Sequence, residues 1–198
     1  MTTNFDIERF VRAQDGGVYE HALAEIRAGR KRSHWIWFVF PQVRGLGHSH
    51  MAERYGIASR AELETYVNHP LLRARLLEIS HALLALPGSD PVAVLGDIDA
   101  LKVRSSMTLF ELTGADPVFG AVLNKYYAGR RDELTLRIVN EAWDHSSMRR
   151  MAGIDQVTIA RRTIAAPAPT NHPGAPTASA KSDENARPSG SAHDMMAP

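Results

Sequence analysis

Three short segments that join a helix-capping position to a proline divide this chain into pieces of helix length. They are Asn68-His69-Pro70, Asp90-Pro91 and Asp116-Pro117. A capping side chain accepts hydrogen bonds from the free backbone N–H groups at a helix start, and proline suits the first helical position. After such a start, apolar residues recur at spacings of three and four, which is the period of one helix face. One set of this kind is Leu72, Leu76, Ile79 and Leu83.

Other boundary signals also indicate helices. A helix is predicted over Val18–Ala28, and Gly29 follows it where a left-handed residue commonly ends a helix. Glu25 on this helix is interpreted as a solvated residue. Ser59 with Glu62 matches a capping box, in which each residue satisfies a backbone N–H at a helix start.

The segment His34–Phe40 differs in character from the helical pattern around it. Its aromatic and β-branched residues favour a strand by propensity. It lacks alternation with polar residues, so a short buried helix fits the segment as well. A single buried strand cannot form a sheet, and no convincing partner strand is present in the sequence. We therefore predict an all-α fold, in the form of a single compact multi-helix domain.

The composition of the chain changes sharply after Ile164. From Ala165 to Pro198 there is no Val, Ile, Leu, Phe, Trp or Tyr, and this stretch holds six of the 11 prolines. Such a segment cannot bury enough apolar surface to offset the entropy lost on ordering. We predict a helical domain over residues 1–145, a transition over 146–164 that can add a last helix, and a disordered C-terminal tail over 165–198.

Composition excludes several classes of protein. The formal net charge is +1 and 44% of the residues are hydrophobic, as in ordinary globular proteins. The absence of cysteine excludes disulfides, thiolate nucleophiles and iron–sulfur clusters. No apolar run approaches the length of a membrane span and no targeting segment is evident, which predicts a cytoplasmic protein without a membrane partner. His48 and His50 lack a third ligand nearby, so no metal site and no cofactor are predicted.

A run of cations followed directly by aromatic residues is the first candidate for chemistry. It covers residues 29–42, with Lys31 and His34 before the aromatic block that begins at Trp35, and Gln42 at its end. Cationic side chains bind phosphate or carboxylate, and indole faces stack on planar groups. Imidazole titrates near neutral pH, which makes His34 a candidate acid or base. The alternative is structural: cations at a helix C-terminus, followed by aromatic residues of the core.

The second candidate is the segment 101–110, where polar residues crowd a stretch with apolar anchors. Its polar members include Lys102, Arg104, Ser105 and Ser106. On a helix, Lys102 and the two serines share a face, and a cation with two hydroxyl groups can hold an oxyanion. The alternative is that the serines bond backbone carbonyls while the cations pair with nearby carboxylates. Those carboxylates are Asp97, Asp99 and Glu111.

Both candidate segments belong to a longer set of motifs. The set is GRKRSHWIWFVFPQ at 29–42, GLG at 45–47, YGI at 55–57, HPL at 69–71 and LKVRSSMTLF at 101–110. It resembles a bacterial domain-of-unknown-function family whose members are often labelled "calpastatin" in genome annotation. The resemblance runs from about Phe5 to Val139 and implies a compact, mostly α-helical domain, with no catalytic residues to carry over. The eukaryotic inhibitor of that name is a disordered repeat protein, which the apolar periodicity of this core contradicts, so the label is a misannotation.

Three hypotheses from different classes remain open. The first is binding of, or catalysis on, a phosphorylated or nucleotide-like small molecule. It requires the two segments to meet around a pocket, with Trp35 or Trp37 stacking on the ligand. The second is a protein–protein interaction module, which requires both of these tryptophans to be exposed. The third is nucleic-acid binding through a local arginine patch, against which the near-zero net charge argues.

The sequence leaves open whether the protein is an enzyme. We favour the first hypothesis because cations and hydroxyl groups twice interrupt otherwise apolar segments, and burying them costs free energy unless they are paired. The predicted ligand-binding residues are Lys31, His34, Trp35, Gln42, Lys102, Arg104, Ser105 and Ser106.

Overall fold

The computed structural model describes residues 5–143, and ten helices joined by short loops lie within them. Their bounds are α1 Glu8–Gln14, α2 Val18–Arg27, α3 Ile36–Val39, α4 His50–Tyr55, α5 Arg60–Asn68, α6 Pro70–Ala85, α7 Pro91–Leu95, α8 Asp97–Glu111 and α9 Val118–Tyr127, followed by α10 over 133–143. The described part of the chain holds no β-strand. Its one extended pairing is an isolated parallel bridge between Val43 and Ile57. The all-α prediction is confirmed, whereas the predicted transition over 146–164 and tail over 165–198 lie outside the described residues.

Each of the three cap-plus-proline segments starts a helix. The carboxylates of Asp90 and Asp116 each accept a hydrogen bond of 2.9 Å from the backbone N–H two residues further on. At the start of α6 the capping residue is His69, with Pro70 in the first turn. These contacts satisfy N–H groups that the first helical turn leaves free.

Ser59 caps α5 as predicted, and Glu62 reaches back to the residue before Ser59 and not to Ser59 itself. Ser59 Oγ accepts from the Glu62 N–H at 3.2 Å, and Glu62 Oε2 accepts from the Ala58 N–H at 2.7 Å. Gly29 has φ +74°, the left-handed conformation predicted for it after α2. The aromatic block forms a four-residue helix, α3, so the helical alternative is the correct one of the two considered for His34–Phe40.

Helices α6 and α8 make most of the contacts between helices. Helix α8 contacts α3, α7 and α9, while α6 contacts α1, α2, α5 and α9. Aromatic rings pack between the helices. The centroid of the Tyr66 ring lies 5.0 Å from that of Phe10, in an edge-on arrangement, and 5.2 Å from that of Phe110. Burying a side chain of this size stabilises the fold by about 2–3 kcal/mol. The core therefore fixes α8 firmly, and with it the position of the second candidate segment.

The loop between α2 and α3 carries the first candidate segment past the end of α7. The backbone N–H of Lys31 donates to Val94 O at 2.8 Å, which ties the loop to that helix. Because α3 packs on α8, the loop and the aromatic block both come close to residues 97–104. None of the helices described here is both long and apolar enough to cross a membrane.

Candidate functional site

The two candidate segments meet at Asp99. Lys31 Nζ lies 2.5 Å from Asp99 Oδ2, and Lys102 Nζ lies 2.8 Å from Oδ1 of the same carboxylate. The side chains are 6%, 18% and 20% exposed for Lys31, Asp99 and Lys102. Two ammonium groups therefore share one carboxylate in a largely buried position, and the cluster has a net charge of +1.

Both ammonium groups also lie against indole rings. Lys31 Nζ is 5.0 Å from the ring centroid of Trp35, and Lys102 Nζ is 4.4 Å from that of Trp37. Both distances allow cation–π attraction. Trp35 is buried, whereas Trp37 is half-buried and presents part of its indole to the surface. We call Lys31, Asp99, Lys102 and Trp37 the dilysine site.

Asp99 is held as an anion between the lysines. Burial would raise the pKa of its carboxyl group, but hydrogen bonds from Lys102 and Lys31 outweigh burial and lower the pKa below its usual range. The structural alternative for the segment 101–110 pairs its cations with nearby carboxylates. For Lys102 this pairing is present, with Asp99 as the partner. The same carboxylate occupies the place between the two ammonium groups where an anionic ligand could also bind.

Glu25 on α2 fixes the loop that carries Lys31. Its carboxylate accepts hydrogen bonds from the backbone N–H groups of Arg32 and Ser33 and from Trp35 Nε1, at 2.8, 3.0 and 2.8 Å. Burial would raise the pKa of Glu25, but these hydrogen bonds lower it to about 2. Lys31 Nζ in turn donates to Ser33 O at 2.6 Å. The loop is therefore organised around one buried carboxylate.

The prediction that Glu25 is solvated is wrong. Glu25 is 7% exposed, because the loop after Gly29 folds back over it. Its position next to Ile26 and three residues after Ala22, both on the buried face of α2, is the sequence signal that could have identified it.

Gln42 adjoins the dilysine site through Trp37. Both residues line a narrow cleft of about 10 Å³, together with Met51 and Tyr55. Gly56 forms part of its wall, where a Cβ atom would lie 2.8 Å from Ala52 O. Only glycine at position 56 allows the two backbone segments to approach this closely. The same cleft has the Gln42 amide and the Trp37 indole in its lining.

His34 lies in a different place. It is exposed and lines an open cleft of about 460 Å³ together with His21 and Ser33, beside the start of α2. His21 Nε2 is 3.1 Å from Glu25 Oε1. The lining of this cleft, as far as the chain is described, includes neither lysine of the dilysine site.

Arg104 and Ser105 make contacts on another side of α8. Arg104 donates through Nε to Arg130 O at 3.1 Å and through Nη2 to Arg131 O at 2.6 Å. Ser105 Oγ lies 2.7 Å from Thr135 Oγ1 in the interior. These side chains join α8 to the loop after α9 and to α10.

Ser106 Oγ is buried and has no hydrogen-bond partner within residues 5–143. Of the eight residues predicted to bind a ligand, the structure brings together Lys31, Trp35 and Lys102, with Gln42 next to them through Trp37. It places His34, Arg104, Ser105 and Ser106 in other surroundings.

The surface patches on which the other two hypotheses depend are reduced in the structure. Trp35 is 2% exposed, so the exposed pair of tryptophans that an interaction module requires is not formed. The arginine patch comprises Arg27, Arg30, Lys31, Arg32 and Arg44. Arg27 Nη2 pairs with Glu78 Oε1 at 3.0 Å and Lys31 pairs with Asp99, whereas the other three cations are exposed. Across the described residues, no group of three or more His, Cys, Asp or Glu side chains could hold a metal ion.

Comparison with known proteins supports the family resemblance and gives no activity. A family model described as "Protein of unknown function (DUF1810)" matches residues 4–139, which include both candidate segments. The chain is similar to the crystal structure of the conserved hypothetical protein Rv1873 from Mycobacterium tuberculosis, with 48% sequence identity and a TM-score of 0.66. That match covers 68% of this chain and 96% of the other. No curated protein matches the chain.

Proposed function

The chain belongs to the DUF1810 family of unknown function, and we propose that it binds a phosphorylated, nucleotide-like small molecule at the dilysine site. The observation that carries this proposal is the convergence of Lys31 and Lys102 on Asp99. Two distant segments supply the two cations, and a single carboxylate neutralises them only in part.

The charge balance of the site favours an anionic ligand. Moving an ammonium group out of water costs several kcal/mol unless a compensating charge or hydrogen bonds are provided. Asp99 compensates for one of the two positive charges, so the phosphate of a ligand would supply the missing anion. Lys102 is the more accessible of the two lysines, and its hydrogen bond to Asp99 leaves N–H donors of its ammonium group available to a phosphate.

Trp37 and Gln42 give the site the means to recognise a planar group. A half-buried indole can stack on a base, as aromatic side chains do in proteins that bind single-stranded nucleic acids. The Gln42 side chain carries both an acceptor and donors, which suits the edge of a heterocycle. In this proposal the phosphate binds at Lys102 and the planar group stacks on the exposed part of the Trp37 indole, at the rim of the cleft that Gln42 lines.

The proposal is for binding, and no reaction is assigned to His34. Arg104 and Ser105 have contacts that account for them structurally, since they join α8 to residues 130–135. The ligand contacts of this proposal therefore reduce to Lys31, Lys102, Trp37 and Gln42.

A thermal-shift measurement on the full chain tests the proposal. The probes are inorganic phosphate, ribose 5-phosphate, AMP and, as the uncharged control, adenosine. A ligand present at 100 times its dissociation constant stabilises the folded state by about 2.7 kcal/mol, which raises Tm by several degrees. We expect AMP to give the largest shift and adenosine a much smaller one.

The matched variants are Lys102→Met and Lys125→Met, which change the net charge equally. Lys125 Nζ donates to Leu84 O at 2.7 Å and has no contact with the dilysine site within the described structure. We expect Lys102→Met to abolish the shift with AMP, and Lys125→Met to keep it even if the protein melts earlier. A full shift in Lys102→Met, or equal shifts with AMP and adenosine, would contradict the proposal.

A further inference from the structure

The first two turns of α8 carry apolar side chains on the face that the core does not use. Ile98 is 66% exposed and Leu101 is 60% exposed, the two highest values among the large apolar side chains of the described structure. The buried face of the same helix begins with Ala100 and Val103. Three of the seven exposed large apolar side chains lie within residues 92–101, so the exposure is concentrated there. Concentrated apolar surface on a folded domain marks binding sites.

This apolar surface adjoins the dilysine site. Ile98 precedes Lys102 by four residues on α8, and residues at that spacing have Cβ atoms about 5–6 Å apart. Leu101 stands three residues after Ile98 and is its neighbour on the helix for the same reason. The cation of Lys102 and the exposed aliphatic side chains therefore belong to one stretch of helix surface.

Lys102 thus has apolar neighbours of two kinds. The first is the half-buried indole of Trp37 on α3, whose ring centroid lies 4.4 Å from Lys102 Nζ. The second is the pair Ile98 and Leu101 on its own helix. A phosphate bound at Lys102 would have a surface for a planar group and a separate surface for an aliphatic group within reach.

We infer that the ligand of the dilysine site is a phosphodiester that joins a planar group to an apolar group, an inference that rests on the proposed function. The phosphate binds at Lys102 and the planar group stacks on Trp37. The apolar substituent on the other ester oxygen covers Ile98 and Leu101. Burying it there removes apolar surface of both partners from water, which is favourable.

The charge of the site matches a diester better than a monoester. Lys31, Asp99 and Lys102 together carry a net charge of +1. A phosphodiester carries a single negative charge, as each phosphate of a nucleic acid does, and neutralises this cluster. A phosphate monoester carries about −1.5 to −2 at pH 7 and would leave negative charge in excess.

The size of the apolar surface favours a small substituent over a protein partner. A stable protein interface buries about 800 Å² on each partner. The side chains of Ile98 and Leu101 offer much less than this, even with Val92 on the neighbouring helix α7 added to them. A short alkyl or acyl group is enough to cover them.

Isothermal titration calorimetry of the full chain with two adenosine phosphodiesters tests the inference. The probes are the methyl and the hexyl ester of AMP, which have the same charge and the same planar group. We expect the hexyl ester to bind about tenfold more tightly, which corresponds to removing about two methylene groups from water.

Matched variants locate the alkyl chain. Leu101→Gln and Ile98→Gln should each reduce the ratio of the two affinities towards one. The control is Leu112→Gln, because Leu112 is 40% exposed at the far end of α8, about 16 Å from Leu101 along the helix axis. This control should keep the tenfold ratio.

The outcomes separate this inference from the proposed function. Equal affinities for the two esters, with both lost in Lys102→Met, would overturn the inference and leave the proposed function intact. Binding of neither ester nor AMP would overturn both. A tenfold ratio that persists in Leu101→Gln and Ile98→Gln would contradict the placement of the alkyl group. Equal affinities together with a dimer that Leu101→Gln dissociates would assign this surface to a second copy of the chain instead.

Discussion

Glu25 is the residue whose ionisation most affects the loop before α3. Its anionic form accepts from two backbone N–H groups and one indole N–H, and hydrogen bonds to a charged acceptor are stronger than those to a neutral one. Protonation would place a hydrogen among donors and remove the charge that they stabilise. The loop would then lose the hydrogen bonds that Glu25 accepts from Arg32, Ser33 and Trp35.

The lowered pKa of Glu25 predicts a pH dependence of stability. The pKa is about 2 in the folded state against 4.5 for the free side chain, so the stabilisation is fully present above about pH 4.5. It is lost as the pH falls from 4.5 towards 2. We expect Glu25→Gln to lower the free energy of unfolding by about 2 kcal/mol at pH 7.

Denaturant unfolding of wild type and Glu25→Gln between pH 2.5 and 7 checks this prediction. The difference between the two proteins should shrink steadily below pH 4.5. A difference that stays constant over this range would mean that the Glu25 charge does not stabilise the loop.

The two neighbouring serines of α8 should respond differently to removal of the hydroxyl group. Thr135 Oγ1 donates to Asp132 Oδ1 at 2.7 Å, so the hydrogen between Ser105 and Thr135 comes from Ser105. Ser105→Ala should cost about 1 kcal/mol. Ser106→Ala removes a buried hydroxyl without a partner in the described residues and should change stability by less than about 0.5 kcal/mol or increase it. Equal losses in the two variants, measured by urea unfolding, would refute this assignment.

At the residue scale, sequence patterns identify cations better than they identify their partners. Lys31 and Lys102 stand out because they interrupt apolar segments. The position of Glu25 on the buried face of α2 indicates burial, but its hydrogen-bond donors are mostly backbone N–H groups of a loop, which no residue type marks as its partners. Asp99 is one of three carboxylates near Lys102 in the sequence, the others being Asp97 and Glu111. The path of the loop past α7 brings Lys31 to Asp99, which makes it the partner of both lysines.

At the scale of helices, Arg9 joins α1 to two neighbouring elements. Its guanidinium donates to Arg54 O at 2.9 Å and to Gly56 O at 3.3 Å, and it pairs with Glu62 Oε1 at 2.7 Å. The Arg9 and Glu62 side chains are largely buried. Removing one partner of a buried ion pair leaves the other charge uncompensated, which is strongly destabilising.

We expect Arg9→Met to lower the free energy of unfolding by about 3 kcal/mol. The matched control is Arg12→Met on the same helix, because Arg12 pairs with Asp6 on the exposed surface at 3.0 Å. Surface pairs contribute about 0–1 kcal/mol, so the control should melt near the wild type. Comparable melting temperatures for the two variants would show that Arg9 does not connect these helices.

Helix starts could be predicted from the sequence, because capping and proline act through local geometry. Asp90, Asp116 and Ser59 all begin helices as expected. The form of residues 34–40 could not be decided, because a four-residue buried helix is too short to show a 3.6-residue period. The packing of α3 on α8 favours the helix over a strand. Because this is a tertiary contact, local propensity in the sequence does not reveal it.

At the scale of the whole molecule, the composition of residues 165–198 predicts that they add little to the stability of the fold. A chain that ends at Ile164 should have a free energy of unfolding within about 0.5 kcal/mol of the full chain. Thermal and urea unfolding of the two proteins side by side check this. A loss of several degrees in Tm would mean that the segment packs on the domain.

The whole-molecule charge is nearly balanced, so any affinity for phosphate must come from a local arrangement. In the proposed function, that arrangement is Lys31 and Lys102 beside Trp37. Of the lysines of the chain, only these two are then expected to contact a phosphorylated ligand.

The chain has four lysines, Lys31, Lys102, Lys125 and Lys181, so their side-chain signals can be followed individually by NMR. The most direct measurement is a titration of the full chain, labelled with ¹³C-lysine, with AMP. We expect the Cε–Hε signals of Lys31 and Lys102 to shift and saturate together, while those of Lys125 and Lys181 stay in place. Equal small shifts of all four signals, or no shift up to millimolar AMP, would contradict it.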